Sequence, residues 1–288
     1  MLKIIEKTKI WFALSLTVIL IGIGFMVFRG LNFGIDFKGG TEILIQMKDD
    51  FNKQEADDIA KKYTEDLVSN VVDGNKYKVK SSNLDSQHVS DLVNELKEKY
   101  ELDDNPLVSQ NEIGASVGND LKKNSFISLS IALVAMLIYI AIRFEFKFGI
   151  ASVIALAHDV LVTLSVYAIF DIQINTPFIA AMLTIVGYSM NDTIVIFDRI
   201  REISRGNRRK DVVEIADVSL TQTIERSINT TLATLLTIIA INILVPSVRD
   251  FAFPLVVGIA TGAYSSIFIA SPVWVILKKK MKRKVVAE

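Results

Sequence analysis

Asp192 is the residue whose type and position most directly suggest chemistry. It lies inside the apolar run at residues 178–197, which as a helix would rise about 30 Å, the thickness of a hydrocarbon core. Asp192 is five residues short of the end of that run, so it lies about 8 Å inside the boundary. A carboxylate at this depth usually faces the interior of a helix bundle or a water path. We therefore predict a functional acid.

Polar side chains surround Asp192 along its own helix. Tyr188 is one turn earlier on the same face, and Asn191 and Thr193 flank the acid. Asn and Thr often join membrane helices through hydrogen bonds, so Asn191 and Thr193 could serve either packing or ion coupling.

Arg226 is the natural counter-ion for Asp192. It starts the next apolar segment and is followed by Thr230, Thr234 and Thr237, which form a polar stripe at helical spacing. Both charged residues fall near the same end of neighbouring antiparallel spans, so their depths permit an ion pair. The alternative is that Arg226 extends to lipid headgroups.

His158 and Asp159 form a second polar pair, about 12 Å from the start of the run at residues 150–170. Adjacent residues on a helix point about 100° apart, so we expect only one of the two to join the Asp192 cluster. A histidine beside carboxylates suits a proton relay, and a neutral histidine that serves packing is an equal alternative.

Composition excludes several classes of site. The 288 residues include no Cys and only two His, which excludes a thiolate nucleophile and makes a multi-histidine zinc site unfavourable, so we expect no metal centre. The formal net charge is zero, so the chain does not have the excess of basic residues that is typical of a nucleic-acid-binding protein. No Walker A, nucleophile-elbow or His-Glu-x-x-His motif is present, so neither an ATP-driven pump of the P-loop kind nor a hydrolase is indicated.

Hydropathy predicts a polytopic α-helical membrane protein, because 51% of the residues are hydrophobic and the mean hydropathy is +0.39. We predict six spans, at residues 10–28, 126–142, 150–170, 178–197, 230–245 and 251–277. Six spans place both termini on one side, and the basic residues of the short loops and tails fall on that side. The positive-inside rule makes this side cytoplasmic.

Residues 30–123 form one polar segment between the first two spans, which we call the polar domain and place outside the cytoplasm. Alternation predicts a strand at residues 41–47, with Ile43 and Ile45 on one face. Amphipathic helices at 52–68 and 88–99 and further strands at 77–80 and 107–113 complete an α+β domain. The chain is thus divided into an N-terminus with the first span (1–29), the polar domain (30–123), spans two to six (124–277) and a basic cytoplasmic tail (278–288).

Two further segments indicate structural features: a helix at the membrane surface and a face for helix packing. The predicted cytoplasmic loop at residues 198–224 contains apolar residues on one helical face, which indicates an interfacial helix at 205–224. In the last span Gly258, Gly262 and Ser266 recur every four residues, which predicts a face for close helix packing.

The motifs taken together resemble the SecF family of protein-export membrane proteins. The segment at residues 33–41, with Gly34, Asp36, Gly39 and Gly40, resembles the hallmark of that family just after its first span. His158-Asp159 resembles its third-span pair, residues 187–202 its fourth-span signature and residues 221–231 its fifth. Residues 114–118 resemble an element before the second span in which Ala115 stands where the family usually has proline.

The resemblance implies a half of the RND superfamily: six spans and one ferredoxin-like α+β extracytoplasmic domain between spans one and two. It implies a subunit in the bacterial cytoplasmic membrane that works with SecD and the SecYEG translocon, with YajC and YidC as further candidate partners, on a secreted preprotein. The implied role is to assist export with the proton-motive force or a sodium gradient. Asp192 and Arg226 match the ion-coupling positions, and no cofactor beyond the transported H⁺ or Na⁺ is implied.

Other functions remain open. An RND-type exporter of small molecules or lipids would share the fold, because fold does not fix function. A structural subunit of the translocon without ion coupling would use the same polar residues for assembly only. None of these readings makes the chain an enzyme.

Overall fold

The computed structural model describes residues 2–143, 145–206 and 210–287. In chain order the elements are α1 (Thr8–Phe28), α2 (Ile35–Lys38), β1 (Gly40–Gln46), α3 (Lys53–Ala60), β2 (Val68–Val72), β3 (Lys76–Ser81), α4 (Ser86–Tyr100), β4 (Leu107–Ile113), α5 (Ala115–Arg143), α6 (Phe146–Ile169), α7 (Thr176–Gly206), α8 (Val212–Leu244), α9 (Arg249–Ser265) and α10 (Ser271–Ala287).

Six helical segments among the described residues are long and apolar enough to cross a membrane, as predicted. They are Ile5–Phe28, Ala115–Ile140, Phe146–Ile169, Thr176–Gly206, Val212–Leu244 and Pro246–Lys280. The third, fourth and sixth segments are the most buried and form the centre of the bundle, whereas the first, second and fifth are largely exposed. The last segment combines α9, a π-helical turn at Ser266–Ala270 and α10.

The polar domain contains a four-stranded antiparallel sheet in the order β2-β3-β1-β4. With α3 and α4 the chain order is β-α-β-β-α-β, so the predicted ferredoxin-like domain is confirmed. Ile43 and Ile45 are fully buried on one face of β1, where they pack with Tyr77 and Val79 of β3 and with Leu92 of α4. This burial confirms the alternation expected for the first strand.

One strand and one helix of the polar domain differ from the prediction. The helix predicted at 52–68 ends at Ala60, and residues 68–72 form the edge strand β2. The predicted order therefore lacked one strand. Ser69 and Asn70 interrupt the apolar residues of β2, and only Val72 is buried, so the strand carries almost no alternation signal.

The opposite face of the sheet is polar and touches the membrane helices. Lys80 on β3 lies 3.3 Å from Glu42 of β1 and 3.6 Å from Asp250 in the first turn of α9. The Lys80 side chain is only 14% exposed, so the ion pairs form at a covered contact. The sheet is thereby anchored directly to the α8–α9 connection.

Helices extend beyond several predicted spans. The interfacial helix predicted at 205–224 is wrong as a separate element, because α8 runs without interruption from Val212 to Leu244. Its apolar face is nevertheless buried as expected, with Val212 and Leu220 in the bundle core. Residues 198–206 of the predicted loop belong to α7, and the predicted basic tail is helical up to Ala287. The second span also begins earlier than predicted, because α5 starts at Ala115, inside the segment assigned to the polar domain.

The predicted packing face of the last span is confirmed. A Cβ at Gly258 would lie 2.2 Å from Ile185 Cδ1 of α7, and a Cβ at Gly262 would lie 2.9 Å from Ser189 Cβ. Ser266 continues the face and shares a 2.8 Å hydrogen bond with Thr193. Because the glycines lack side chains, α9 approaches α7 closely along the turns that precede Asp192.

Candidate functional site

Asp192 faces α8 at a buried position and is 5% exposed. Thr231 Oγ1 of α8 donates a 3.4 Å hydrogen bond to Asp192 Oδ2. Ser227 is one turn before Thr231, is also buried, and its hydroxyl has no hydrogen-bond partner among the described residues. The acid therefore lies at the α7–α8 contact beside a face of α8 that offers hydroxyl groups.

Arg226 does not form the expected ion pair. Its side chain is exposed, and the described residues show no hydrogen bond or ion pair between Arg226 and Asp192. Its charge acts on the Asp192 carboxyl only at longer range. The pairing inferred from depth is therefore corrected: Arg226 is one residue more than a turn before Thr231, so the two side chains leave α8 in different directions.

The remaining polar residues of the α7–α8 contact are only partly arranged as predicted. Tyr188 Oη donates a 2.9 Å hydrogen bond to Thr234 Oγ1 and contacts the Thr230 carbonyl oxygen at 3.3 Å. The Thr230 hydroxyl donates to the Arg226 carbonyl oxygen of its own helix. Asn191 is exposed and makes no side-chain hydrogen bond to another described residue, whereas Thr193 is buried against the last span.

His158 and Asp159 lie in a separate buried network. His158 Nδ1 is 3.1 Å from Asp159 Oδ1, and His158 Nε2 is 2.9 Å from Ser15 Oγ of α1. The hydroxyls of Ser189 on α7 and Ser265 on α9 both donate to Asp159 Oδ2, at 2.6 and 2.9 Å. Four helices therefore meet at this pair. Among the described residues, neither side chain hydrogen-bonds to Asp192.

Ser189 connects the two acids structurally. It is hydrogen-bonded to Asp159 and lies three residues before Asp192 on α7. Its backbone carbonyl oxygen accepts hydrogen bonds from Thr193 and from Ser266 of the π-helical turn, both at 3.3 Å. One turn of α7 thus contacts Asp159 on one side and carries Asp192 toward α8 on the other. π-helical turns within α-helices are frequent at functional sites.

Residues 33–41, which follow α1, are hydrogen-bonded to the start of α7. The Gly34 N–H donates to the Ile174 carbonyl oxygen at 2.8 Å, and Asp36 Oδ2 accepts a 2.8 Å hydrogen bond from the Thr176 backbone N–H. Gly39 and Gly40 follow with φ of +84° and +143°, values that side chains disfavour. A Cβ at Gly40 would also lie 2.4 Å from the Ser81 carbonyl oxygen, so this turn shapes the entry into β1.

Several residues of these networks were not predicted as site residues. Ser15 lies in the apolar first span, and a polar residue inside a span was the only available signal. Thr231 is not part of the predicted stripe, because Thr230 and Thr234 lie one residue out of phase with the face of α8 that meets Asp192. Ser189 and Ser265 are common helix-packing residues whose partner depends on helix rotation.

Comparison with known proteins fits these features. A family model for the C-terminal part of the protein export membrane protein SecD/SecF matches residues 92–280, and a model for the SecD/SecF GG motif matches residues 24–50. The protein translocase subunit SecF of Sebaldella termitidis is 39% identical over 290 residues, which cover 98% of this chain and 93% of that protein. The chain belongs to the SecF family. A second SecF, from Acidaminococcus fermentans, is 36% identical over 98% of this chain and 99% of its own length.

Solved structures support the same fold. The crystal structure of SecDF from Thermus thermophilus, described as a translocon-associated membrane protein, matches 96% of this chain with a TM-score of 0.84 and 31% identity. This chain covers 39% of that SecDF chain and 38% of the SecDF of Bacillus subtilis, to which it is 33% identical. The six apolar helices and the SecF relatives together make this chain a multi-pass protein of the cytoplasmic membrane.

Proposed function

We propose that this SecF-family chain couples ion movement to protein export, as one half of an assembly with SecD. The observation that carries the proposal is the buried Asp192 at the contact between the central helix α7 and the largely exposed helix α8. Ionisable residues inside a membrane are costly and mark ion pathways in transporters. The proposed orientation places both termini in the cytoplasm and the polar domain outside it, in accordance with the basic residues of the short loops.

The hydroxyl-lined face of α8 supports a path to Asp192. Ser227 and Thr231 are buried at positions i and i+4, and the Ser227 hydroxyl lacks a partner among the described residues. Such a hydroxyl can hydrogen-bond to a passing water or ion. A proton or a sodium ion would therefore reach the carboxyl along α8, near the end of the bundle that carries Arg226.

The coupling step follows from the charge of Asp192. In the arrangement described above, Asp192 contacts Thr231 and not Arg226. An ionised Asp192 attracts Arg226, and protonation removes this attraction, so α8 would shift along α7 between a Thr231 contact and an Arg226 contact. One elementary charge that crosses 100 mV supplies about 2.3 kcal/mol, which suffices to bias two states separated by a gap of that order.

His158 and Asp159 would form the second part of the coupling site, next to the turn of α7 that carries Asp192. His158 lies 3.1 Å from Asp159, and Ser189 is bonded to Asp159, so a movement of this pair would be transmitted to the turn of α7 that carries Asp192. This assignment extends the ion-coupling site from Asp192 and Arg226 to all four predicted residues without requiring direct contact between the two acids.

SecD is the proposed principal partner, because relatives named SecDF contain a region like this chain within a longer chain. Ile131 on α5 and Leu236 on α8 are each more than 60% exposed in the chain by itself, and a second membrane half could cover them. The SecYEG translocon, YajC, YidC and the secreted preprotein are proposed as further partners.

Replacement of Asp192 by Asn in the complex with SecD tests the proposal. Export into sealed vesicles is driven by a pH gradient in one arm and by a sodium gradient in the other. We expect Asp192→Asn to abolish the stimulation by one of the two gradients while complex formation with SecD persists. Asp217→Asn is the matched control: Asp217 is also buried, but it accepts hydrogen bonds from the Ile4 and Ile5 N–H groups, which an amide oxygen can still do.

The outcomes separate ion coupling from the alternatives. Stimulation by both gradients at wild-type level in Asp192→Asn would refute the proposal. Loss of SecD from the purified complex in Asp192→Asn, but not in Asp217→Asn, would assign the acid to assembly and favour the structural subunit. Gradient-driven efflux of a small molecule or lipid by this chain without SecD would favour the exporter.

A further inference from the structure

A polar cavity lies at the opposite end of the bundle from the polar domain. It has a volume of about 170 Å³ and is formed where α6 begins, α7 ends and α10 passes. Its lining includes Arg201, Arg205, Lys278 and Glu145, together with the aromatic side chains of Phe148 and Trp274. The cavity is remote from Asp192 along α7, because Arg205 is thirteen residues further on, about 20 Å along the helix.

The charge of the cavity lining is positive. The described lining residues include three cationic side chains and one carboxylate, a net charge of +2, and Arg201 also lies 3.6 Å from Asp198, which is outside the lining. Glu145 lies 3.6 Å from Lys278, which leaves the charge of Arg205 without a described ion pair inside the cavity. The positive charge of the lining is therefore not fully neutralised by carboxylates, and an anion would be attracted to this position.

Trp274 is an aromatic residue of the same lining. It is 1% exposed, it stacks on Phe148 with ring centroids 5.2 Å apart, and its buried indole N–H has no acceptor among the described residues. An orphaned buried donor is uncommon in a folded protein. Glu145 is the N-cap of α6 but makes no side-chain cap hydrogen bond, so the positive end of the α6 dipole also faces this region uncapped.

We infer that this cavity binds the phosphate headgroup of an anionic phospholipid. The two arginines and Lys278 supply the charge-assisted donors that a phosphodiester requires, and arginine matches phosphate geometry through its planar fork. The volume of about 170 Å³ accommodates a headgroup but not a whole lipid, so the acyl chains lie outside against the helices. Basic pockets between membrane helices are known to take such headgroups.

The surroundings favour a lipid over soluble phosphate. Phe146, in the first turn of α6 beside the cavity, is 80% exposed, and Trp274 and Phe148 bring aromatic surface to its wall. Aromatic residues mark the membrane–water interface, where phosphate groups are concentrated at the level of the helix ends. A headgroup held there would fix the ends of α6, α7 and α10 relative to the bilayer.

Trp274 provides a local readout for the test. The chain has two tryptophans, so Trp11→Phe leaves Trp274 as the single indole fluorophore. The full-length protein in neutral detergent is titrated with short-chain phosphatidylglycerol, short-chain phosphatidylcholine or inorganic phosphate. We expect a saturable change in Trp274 emission with phosphatidylglycerol and none with the other two.

Variants identify the site. Arg205→Gln removes one charged donor at an exposed position and should weaken phosphatidylglycerol binding roughly tenfold. Lys210→Gln is the control, since it removes the same charge from a residue that pairs with Glu214 outside the cavity. Glu145→Gln removes the single lining carboxylate and should tighten binding, a gain that misfolding cannot produce.

Three results would overturn the inference. Equal responses to phosphatidylcholine would show non-specific detergent exchange, and equal responses to inorganic phosphate would assign the cavity to a soluble anion. An unchanged affinity in both Arg205→Gln and Glu145→Gln would place the binding elsewhere.

Discussion

Ser189 on α7 donates a 2.6 Å hydrogen bond to the carboxylate of Asp159 on α6. This bond joins the most buried acid of the bundle, which is 1% exposed, to the helix turn that carries Asp192. The two acids are therefore mechanically connected although they face different neighbours. A movement at either acid would therefore be transmitted through this turn of α7.

Gly262→Ala should destabilise the bundle by about 1–3 kcal/mol, because an added Cβ would lie 2.9 Å from Ser189 Cβ and would overpack the α7–α9 contact. Thermal unfolding of the purified protein measures this effect. Gly187→Ala is the control on α7, where an added Cβ meets nothing within 4 Å. Equal unfolding temperatures for the two variants would contradict the close packing described here.

Ser189→Ala and Ser265→Ala should each cost about 1–2 kcal/mol, because each removes a donor to the buried Asp159 carboxyl. Both hydroxyls bind the same oxygen, so we expect the double variant to depart from additivity. Thr184→Ala, whose exposed hydroxyl bonds only to the Ala180 carbonyl oxygen of its own helix, serves as control. Strictly additive losses would show that the two serines act independently.

Asp36→Ala should fray the start of α7, because the Thr176 N–H would lose its acceptor, and helix-capping losses cost about 1 kcal/mol. Faster amide exchange at the first turn of α7 is the readout. Asp36→Asn keeps an acceptor oxygen and should exchange nearly as slowly as the wild type. Asp85→Ala is a further control, since Asp85 caps α4 within the polar domain. An unchanged amide-exchange rate in Asp36→Ala would contradict a stabilising role for the Asp36–Thr176 hydrogen bond.

Asp66 should make the polar domain sensitive to acid. Burial raises the pKa of Asp66, but hydrogen bonds from Ser81 and Ser82 outweigh this effect and hold the pKa at about 2. Because the folded pKa is below the unfolded value of 3.8, the stabilisation is complete above about pH 4 and is lost as the pH falls toward 2.

Asp66→Asn measures this contribution. The difference in unfolding temperature between wild type and variant should be constant near neutral pH and should close between about pH 4 and pH 2. Asp58 is exposed and, among the described residues, pairs with Lys61, so for Asp58→Asn the difference in unfolding temperature from the wild type should not change between pH 4 and pH 2. A difference in unfolding temperature that stays unchanged down to pH 2 would contradict a stabilising, ionised Asp66.

Much of the fold was predictable because burial imposes simple periodicities. The apolar runs identified all six spans, the alternation around Ile43 identified β1, and the four-residue repeat of Gly258 and Gly262 identified the packing face. The edge strand β2 was missed because it is half-solvated, and alternation appears only where one face is buried.

The site was less predictable because contacts depend on the rotation of each helix. Depth along the spans placed Arg226 beside Asp192, but Thr231, five residues later and about 140° around α8, is the residue that meets the acid. The link from His158 to Ser15 crosses 143 positions of sequence, and no local pattern specifies such a pair.

The bond between Asp36 and Thr176 has a consequence for how motion would spread. Thr176 and Asp192 lie on one uninterrupted helix, about 24 Å apart by helical rise. Because α7 is continuous and its first residue is bonded to the root of the polar domain, a tilt of α7 at Asp192 would displace the start of the helix together with the residues bonded to it. The polar domain would then report the charge of Asp192 as displacement on the opposite side of the bilayer.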